Sequence, residues 1–207
     1  MKTKLLILAI LLLPNLCFAM VTPEIILTGG PAANGFYIAP NVVVVANHTL
    51  RENINGKYLD YIAIGTDIYD VKKEVAINEK EDFAVIKIHK GHENKKATVA
   101  KCSKAKATDG IHLNAFVVDD SGIPTADGHL TFVGPTNIYT SNVNLTGNMW
   151  IASIRATTGQ SGASMVDDNG DLIGMMNVWL GTSNPKLAQM GGGVTCQDIL
   201  DYVKQVK

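Results

Sequence analysis

Three residues in this sequence are of the types that together perform acyl-transfer chemistry: Ser161, His48 and Asp82. Ser161 stands in Thr158-Gly159-Gln160-Ser161-Gly162-Ala163-Ser164. A glycine two residues before a serine lets the backbone turn so that the amides of Gly159 and Ser161 can point at one spot. Two such amides stabilise the oxyanion of a tetrahedral intermediate, and a glycine after the serine lets a carbonyl approach. A serine hydroxyl needs a base to be nucleophilic near neutral pH. Of the five histidines, His89, His92, His112 and His129 sit in polar or turn-like stretches. His48 instead follows the apolar run 42–45, and a strand ending in histidine can aim an imidazole into a cleft. Asp82 heads Phe83-Ala84-Val85-Ile86, a position from which a carboxylate can orient an imidazole and stabilise its charged form. Singly, each has an ordinary reading: a loop serine, a turn histidine, and an aspartate facing water beside Glu79, Lys80 and Glu81. Jointly they supply nucleophile, base and orienting acid.

Those side chains need a rigid frame, and the pattern around them is that of strands. Short apolar runs rich in β-branched residues occur at 42–45, 61–64, 83–88, 113–118, 130–133, 150–154 and 172–178. Between them lie turn formers: Asn55-Gly56, Asp109-Gly110, Ser121-Gly122, Asp127-Gly128 and Asn169-Gly170. Runs of this length closed by such steps predict antiparallel strands joined by hairpins. Helical spacing is found only at the end, where Ile199, Leu200, Tyr202, Val203 and Val206 predict a helix over 197–206. Many strands and one terminal helix argue an all-β barrel or sandwich. The lysine-dense stretch from His89 to Lys106 is expected to be a solvated connection and not a binding patch.

The first nineteen residues carry Lys2 and Lys4, an apolar run at 5–13, a break at Pro14-Asn15 and small residues at Cys17 and Ala19. This is the layout of a secretory signal peptide, with cleavage expected before Met20. The run is shorter than the roughly 18 residues that a spanning helix needs, so no membrane anchor is expected after its removal. Without those two lysines, sixteen basic residues face nineteen acidic ones, a balance that gives no broad footprint for nucleic acid. A composition 46% hydrophobic and 18% charged argues against disorder. Cys102 and Cys196 remain as an even pair, read as one disulfide in an oxidising compartment or else as two buried thiols. No cysteine and histidine spacing supports a metal, and no cofactor is expected.

With these residues in view, the sequence resembles the trypsin-like, chymotrypsin-fold serine peptidase superfamily over nearly all of residues 20–207. The chain order His48, Asp82, Ser161 is that of its triad and differs from that of subtilisins and α/β-hydrolases. Gly35-Phe36-Tyr37-Ile38 and the run into His48 resemble the family's strand leading to the catalytic histidine. Glu81-Asp82-Phe83-Ala84-Val85-Ile86 resembles its aspartate motif, and Gly159-Gln160-Ser161-Gly162 its Gly-Asp-Ser-Gly. Leu172-Ile173-Gly174-Met175 resembles the strand after the nucleophile, and Gly193-Val194 with the terminal helix the family's ending. The compact spacing is closest to small bacterial and viral members.

The resemblance implies two six-stranded antiparallel β-barrels with the site in the cleft between them. The first barrel would span about 20–90, a connection about 91–106, the second barrel about 107–195 and a helix about 196–207. It implies His48, Asp82 and Ser161 as catalytic residues, and Gly159 and Ser161 as the oxyanion hole. It implies Arg155, Asn177, Gly192 and Gly193 at the substrate pocket, Asn177 also standing where a family serine supports the aspartate. It further implies a staple between Cys102 and Cys196. A guanidinium at Arg155 would favour an acidic side chain before the scissile bond; a pocket walled by Met175, Met176 and the glycines would favour an apolar one. Gln160 replaces an aspartate that pairs with a freed N-terminal amine in trypsin-like zymogens, so the site is expected to form without that cut. The expectation is an exported serine endopeptidase, periplasmic or extracellular, monomeric and acting on polypeptides. The rivals are a catalytically silent binding protein on the same fold and an esterase using the same triad.

Overall fold

The computed structural model describes residues 22–28, 32–52, 56–115, 125–140, 143–155, 159–180 and 189–206. The proposed signal segment, the Ser121-Gly122 step and Asn55 lie outside them.

The first sheet holds β1 (Thr22–Leu27), β2 (Ala33–Ala39), β3 (Val42–Ala46), β4 (Tyr61–Ile64), β5 (Asp67–Asp70), β6 (Val75–Asn78) and β7 (Phe83–Lys87), in the order β5-β4-β1-β2-β3-β7-β6. Its two terminal strands are consecutive in the chain, separated only by the helical turn α1 (Val71–Glu74), which Asp70 caps by accepting from the amides of Lys72 and Lys73. β5 and β6 are thus one strand interrupted by a turn. It pairs with β4 on one side and β7 on the other, which closes the sheet into a six-stranded barrel.

The second sheet repeats the device. It holds β8 (Gly110–Asn114), β9 (Thr125–Tyr139), β10 (Asn144–Ile154), β11 (Ser164–Asp167), β12 (Leu172–Met175), β13 (Val178–Trp179) and β14 (Met190–Val194), in the order β12-β11-β8-β9-β10-β14-β13. β12 and β13 are broken only at Met176 and Asn177, and together they join β11 to β14. Each count of seven strands is therefore six plus one interruption, and the second interruption falls at Asn177, beside Ser161. The helix α2 (Cys196–Gln205) follows, with Thr195 as its N-cap.

The unbroken apolar runs in β3 and β7 have a structural reason. Successive side chains of a strand face opposite sides. Val43, Val45, Ala84 and Ile86 point into the first barrel. Val42, Val44, Ala46, Phe83 and Val85 point outward, into a second core shared with Val166, Leu172, Met175 and Val194 of the other barrel and with Cys196 and Ile199 of α2. Strands buried on both faces read as continuous hydrophobic runs. The barrels are welded along this wall.

Residues 88–109 join the barrels and bind to both. The amide of Ala100 donates to Ile38 O, and those of Leu172 and Ser103 pair with Lys101 O and Leu172 O. Cys102 forms a disulfide with Cys196 at the start of α2. Asp127-Gly128 differs from its expected role as a turn: it lies inside β9. A Cβ at Gly128 would overlap Ser153 O, so this glycine admits a close backbone approach near the bulge at Ile151 and Ala152. Asn169-Gly170 does make the hairpin turn between β11 and β12, with Gly170 at φ +79°.

Candidate active site

His48 and Asp82 are 34 residues apart, and strand pairing brings them together. β3 and β7 run antiparallel with Ala46 opposite Phe83. The residues just past the end of β3 therefore face the one just before β7. The amide of Asn47 donates to Asp82 O at 3.0 Å, continuing the ladder. His48 opens out in a short 3₁₀ turn, Asn47–Leu50, held by Thr49 Oγ1 donating to Ala46 O at 2.6 Å. Asp82 Oδ1 accepts the His48 amide at 2.8 Å, and Asp82 Oδ2 lies 2.6 Å from His48 Nδ1. One carboxylate thus fixes both the backbone and the ring of the histidine. It is 4% exposed, and its backbone is left-handed at φ +54°. A non-glycine residue in that region costs of order 1–3 kcal/mol and is held there only by its surroundings.

Those surroundings include Asn177, in the interruption between β12 and β13. Its Nδ2 donates to Asp82 O at 2.8 Å and to Asp82 Oδ2 at 3.1 Å. Its Oδ1 accepts from the Val194 amide at 3.1 Å. A break in the barrel strand thus frees a side chain to cross between barrels and brace the carboxylate. Glu81, next in sequence, is half-buried and accepts from Asn78 Nδ2. Burial, then the nearby Asp198 charge, pushes its carboxyl above the usual range.

Ser161 reaches the same place from the second barrel. Gly162 N donates to Met176 O and Met176 N to Ala163 O, which extends the β11–β12 ladder up to the serine. Ser161 Oγ donates to Asn177 O at 3.3 Å. Asn177 therefore touches the serine through its backbone and the aspartate through its side chain. Gly159 and Gly162 have φ of +90° and +86°, so both flanking glycines occupy the left-handed region that other residues avoid. Residues 156–158 lie outside the described residues.

The four residues expected at the substrate pocket lie just past β10 and around β13 and β14, and residues 156–158 and 181–188, which flank them in sequence, lie outside the described residues. Arg155 is exposed at the end of β10 and lines an open cavity of about 970 Å³ with His112, Asp127, His129, Asp168 and Gln189. Asn177 is buried between β12 and β13, and Gly192 and Gly193 are buried in β14. A Cβ on Gly193 would overlap Met175 O and approach Asn177 Oδ1, so this glycine is required for the Asn177 brace to fit. Sequence reasoning had no motif for Asn34, whose Nδ2 donates to Gly159 O at 2.7 Å. It also had none for Tyr202 of α2, which packs edge-on against Phe83 and donates to Ile77 O.

Two closed barrels, a shared wall and a terminal helix settle the architecture, and known structures have the same one. The Rv3671c protease from M. tuberculosis in its active form matches 90% of this chain over 81% of its own, at 15% identity and a TM-score of 0.64. The MamO protease domain from Magnetospirillum magneticum, apo form, matches 90% over 97%, at 15% identity and 0.63. The HtrA-type protease AlgW with a tripeptide matches 93% over 64%, at 17% identity and 0.66. The chain has the chymotrypsin fold. No protein-family model and no curated protein sequence matches it. His48, Asp82, Asn177 and Ser161 meet at the seam of the barrels. Among the described residues no helix is long and apolar enough to cross a membrane.

Proposed function

We propose that this protein is an exported serine endopeptidase with His48, Asp82 and Ser161 as its triad. The observation that carries the reading is the His48–Asp82 pair. A nearly buried carboxylate holds both the amide and the Nδ1 of a histidine, and this leaves Nε2 to act as base. In the reaction the Ser161 hydroxyl turns from Asn177 O toward His48 Nε2, loses its proton to it and attacks the substrate carbonyl carbon. The oxyanion is received by the Gly159 and Ser161 amides. Collapse breaks the C–N bond, and His48 returns the proton to the leaving amine. Water, deprotonated by the same imidazole, then frees the acyl group. Asp82 stays ionised throughout and stabilises the imidazolium.

The substrate is a polypeptide, a reading supported by AlgW having been solved with a tripeptide and with a decapeptide. Export is supported by the signal-like residues 1–19 and by the disulfide, a bond of oxidising compartments. Gln160 is fully buried without the charge that would pair with a new amine, which supports activity without a zymogen cut. A fluorophosphonate should label Ser161 covalently, and Ser161→Ala should abolish both label and peptide cleavage. His48→Ala should lower the rate by about a thousandfold or more. Cleavage at the normal rate by Ser161→Ala would overturn the assignment. A wild type that neither labels nor cleaves would leave the fold as a binding module.

A further inference from the structure

Asn34 is a polar residue in an apolar row. In β2, Phe36 and Ile38 face the core between the barrels, while Ala33 and Tyr37 face the interior of the first barrel. The period of two puts Asn34 on the same face as Phe36 and Ile38. It is 1% exposed. A primary amide buried that far from water is tolerated only when hydrogen-bonded, and here its donor goes to the other barrel. Asn34 Nδ2 donates to Gly159 O at 2.7 Å, two residues before Ser161. One residue after Ser161, the main-chain O of Asn34 occupies the space that a Cβ on Gly162 would take. Asn34 therefore brackets Ser161 from the other barrel.

We propose that Asn34 is the positioning residue of the oxyanion hole, fixing the orientation of Gly159 from across the barrel seam. The proposal rests on the peptidase reading and deepens it. Gly159 has φ +90° and no Cβ, so its own sterics hold neither of its torsions strongly. Anchoring its carbonyl fixes one of them. The N–H of the same residue then points at the developing oxyanion before substrate arrives, which is the preorganisation that makes such donors effective. Asn34 touches no substrate; it acts through Gly159. Its loss should therefore affect the transition state and leave ground-state binding unchanged.

The test compares wild type with Asn34→Leu, which keeps the shape and loses the donor, and with Asn34→Ser, which is polar but too short to reach. Both are assayed on a peptide substrate and on a peptide aldehyde that forms the tetrahedral adduct. kcat should fall about ten- to a hundredfold, less than the 10²–10³ that follows outright removal of an oxyanion donor. KM should stay within about twofold, and aldehyde affinity should fall in step with kcat. In ¹⁵N relaxation the Gly159 amide should loosen from a rigid order parameter near ~0.85 toward ~0.6, with α2 unchanged. Unchanged kcat in either folded variant would overturn the proposal, as would a change confined to KM or an unaltered aldehyde affinity. If wild type proves inert toward peptides and fluorophosphonate, the peptidase reading fails by itself. The NMR arm then decides the positioning claim alone: a Gly159 amide as ordered in the variants as in wild type refutes it.

Discussion

Replacing Asn177 with leucine removes a brace without a large change of volume, and its cost follows from three hydrogen bonds. Asp82 O keeps a second donor, the Asn47 amide, so its loss is small. Asp82 Oδ2 keeps His48 Nδ1 but loses a charge-assisted bond inside the protein, worth about 1.5–3 kcal/mol. The Val194 amide, which donates to Asn177 Oδ1, is left without that acceptor, and an unsatisfied buried donor costs about 1–3 kcal/mol. Asn177→Leu should therefore destabilise by about 3–5 kcal/mol, or roughly 6–20 °C in Tm for a chain of this size. The paired assays are urea unfolding and peptide turnover below the unfolding midpoint. Turnover should fall as well, because the carboxylate that orients His48 loses the donor opposing its rotation. Asn177→Asp should be worse on both counts, since it faces a buried carboxylate with another. A variant within about 1 kcal/mol of wild type, with normal kcat, would refute the claim that Asn177 braces Asp82.

Gly162→Ala should cost more than the 1–3 kcal/mol of backbone strain expected at φ +86°. Its Cβ overlaps Asn34 O, so fluorophosphonate labelling should be lost as well; normal labelling would argue against the bracketed loop. The double change of Cys102 and Cys196 to serine opens a link between residues 94 apart and should lower stability by about 2–4 kcal/mol, read by urea unfolding without reductant. His112 lies between Asp127 and Asp168, and the hydrogen bond to Asp127 is the main cause raising its pKa above the ordinary histidine value. A raised folded pKa gives stability that is complete below the unfolded value near ~6.5 and lost as pH rises through the folded one. Wild type should then exceed His112→Gln in Tm at about pH 5.5 and lose that margin in alkali, the margin staying under about 1 kcal/mol because the side chain is partly solvated. Arg155 is exposed and its charge is screened by water, so Arg155→Ala should shift the ratio of cleavage after Glu to cleavage after Leu by less than about twofold. A larger shift would put its guanidinium in the primary pocket.

What the sequence determined was local. The valine run at 42–45 announced a strand, a property of a few β-branched neighbours, while its burial on both faces needed the second barrel. The turn at Asn169-Gly170 and the amphipathic end were legible for the same reason: a glycine tolerating positive φ and a 3.6-residue spacing are properties of a few neighbouring residues. His48, Asp82 and Ser161 stood out because each closes or opens such an element. What tertiary structure decided was everything that depends on a partner distant in sequence. The run at 172–178 reads as one strand, and only the structure breaks it at Met176 and Asn177; β5 and β6 carry no apolar run of that kind, and only pairing at both ends shows them to be one strand closing a barrel. Asp127-Gly128 reads as a turn in isolation, yet serves inside a long strand because a neighbouring carbonyl needs the space of its missing Cβ. Asn34 carries no signal, because nothing near it in the chain says that its row of side chains faces another barrel or that a carbonyl 125 residues away waits there. Burial makes a hydrogen bond obligatory, but only the packing of two barrels specifies which group supplies it.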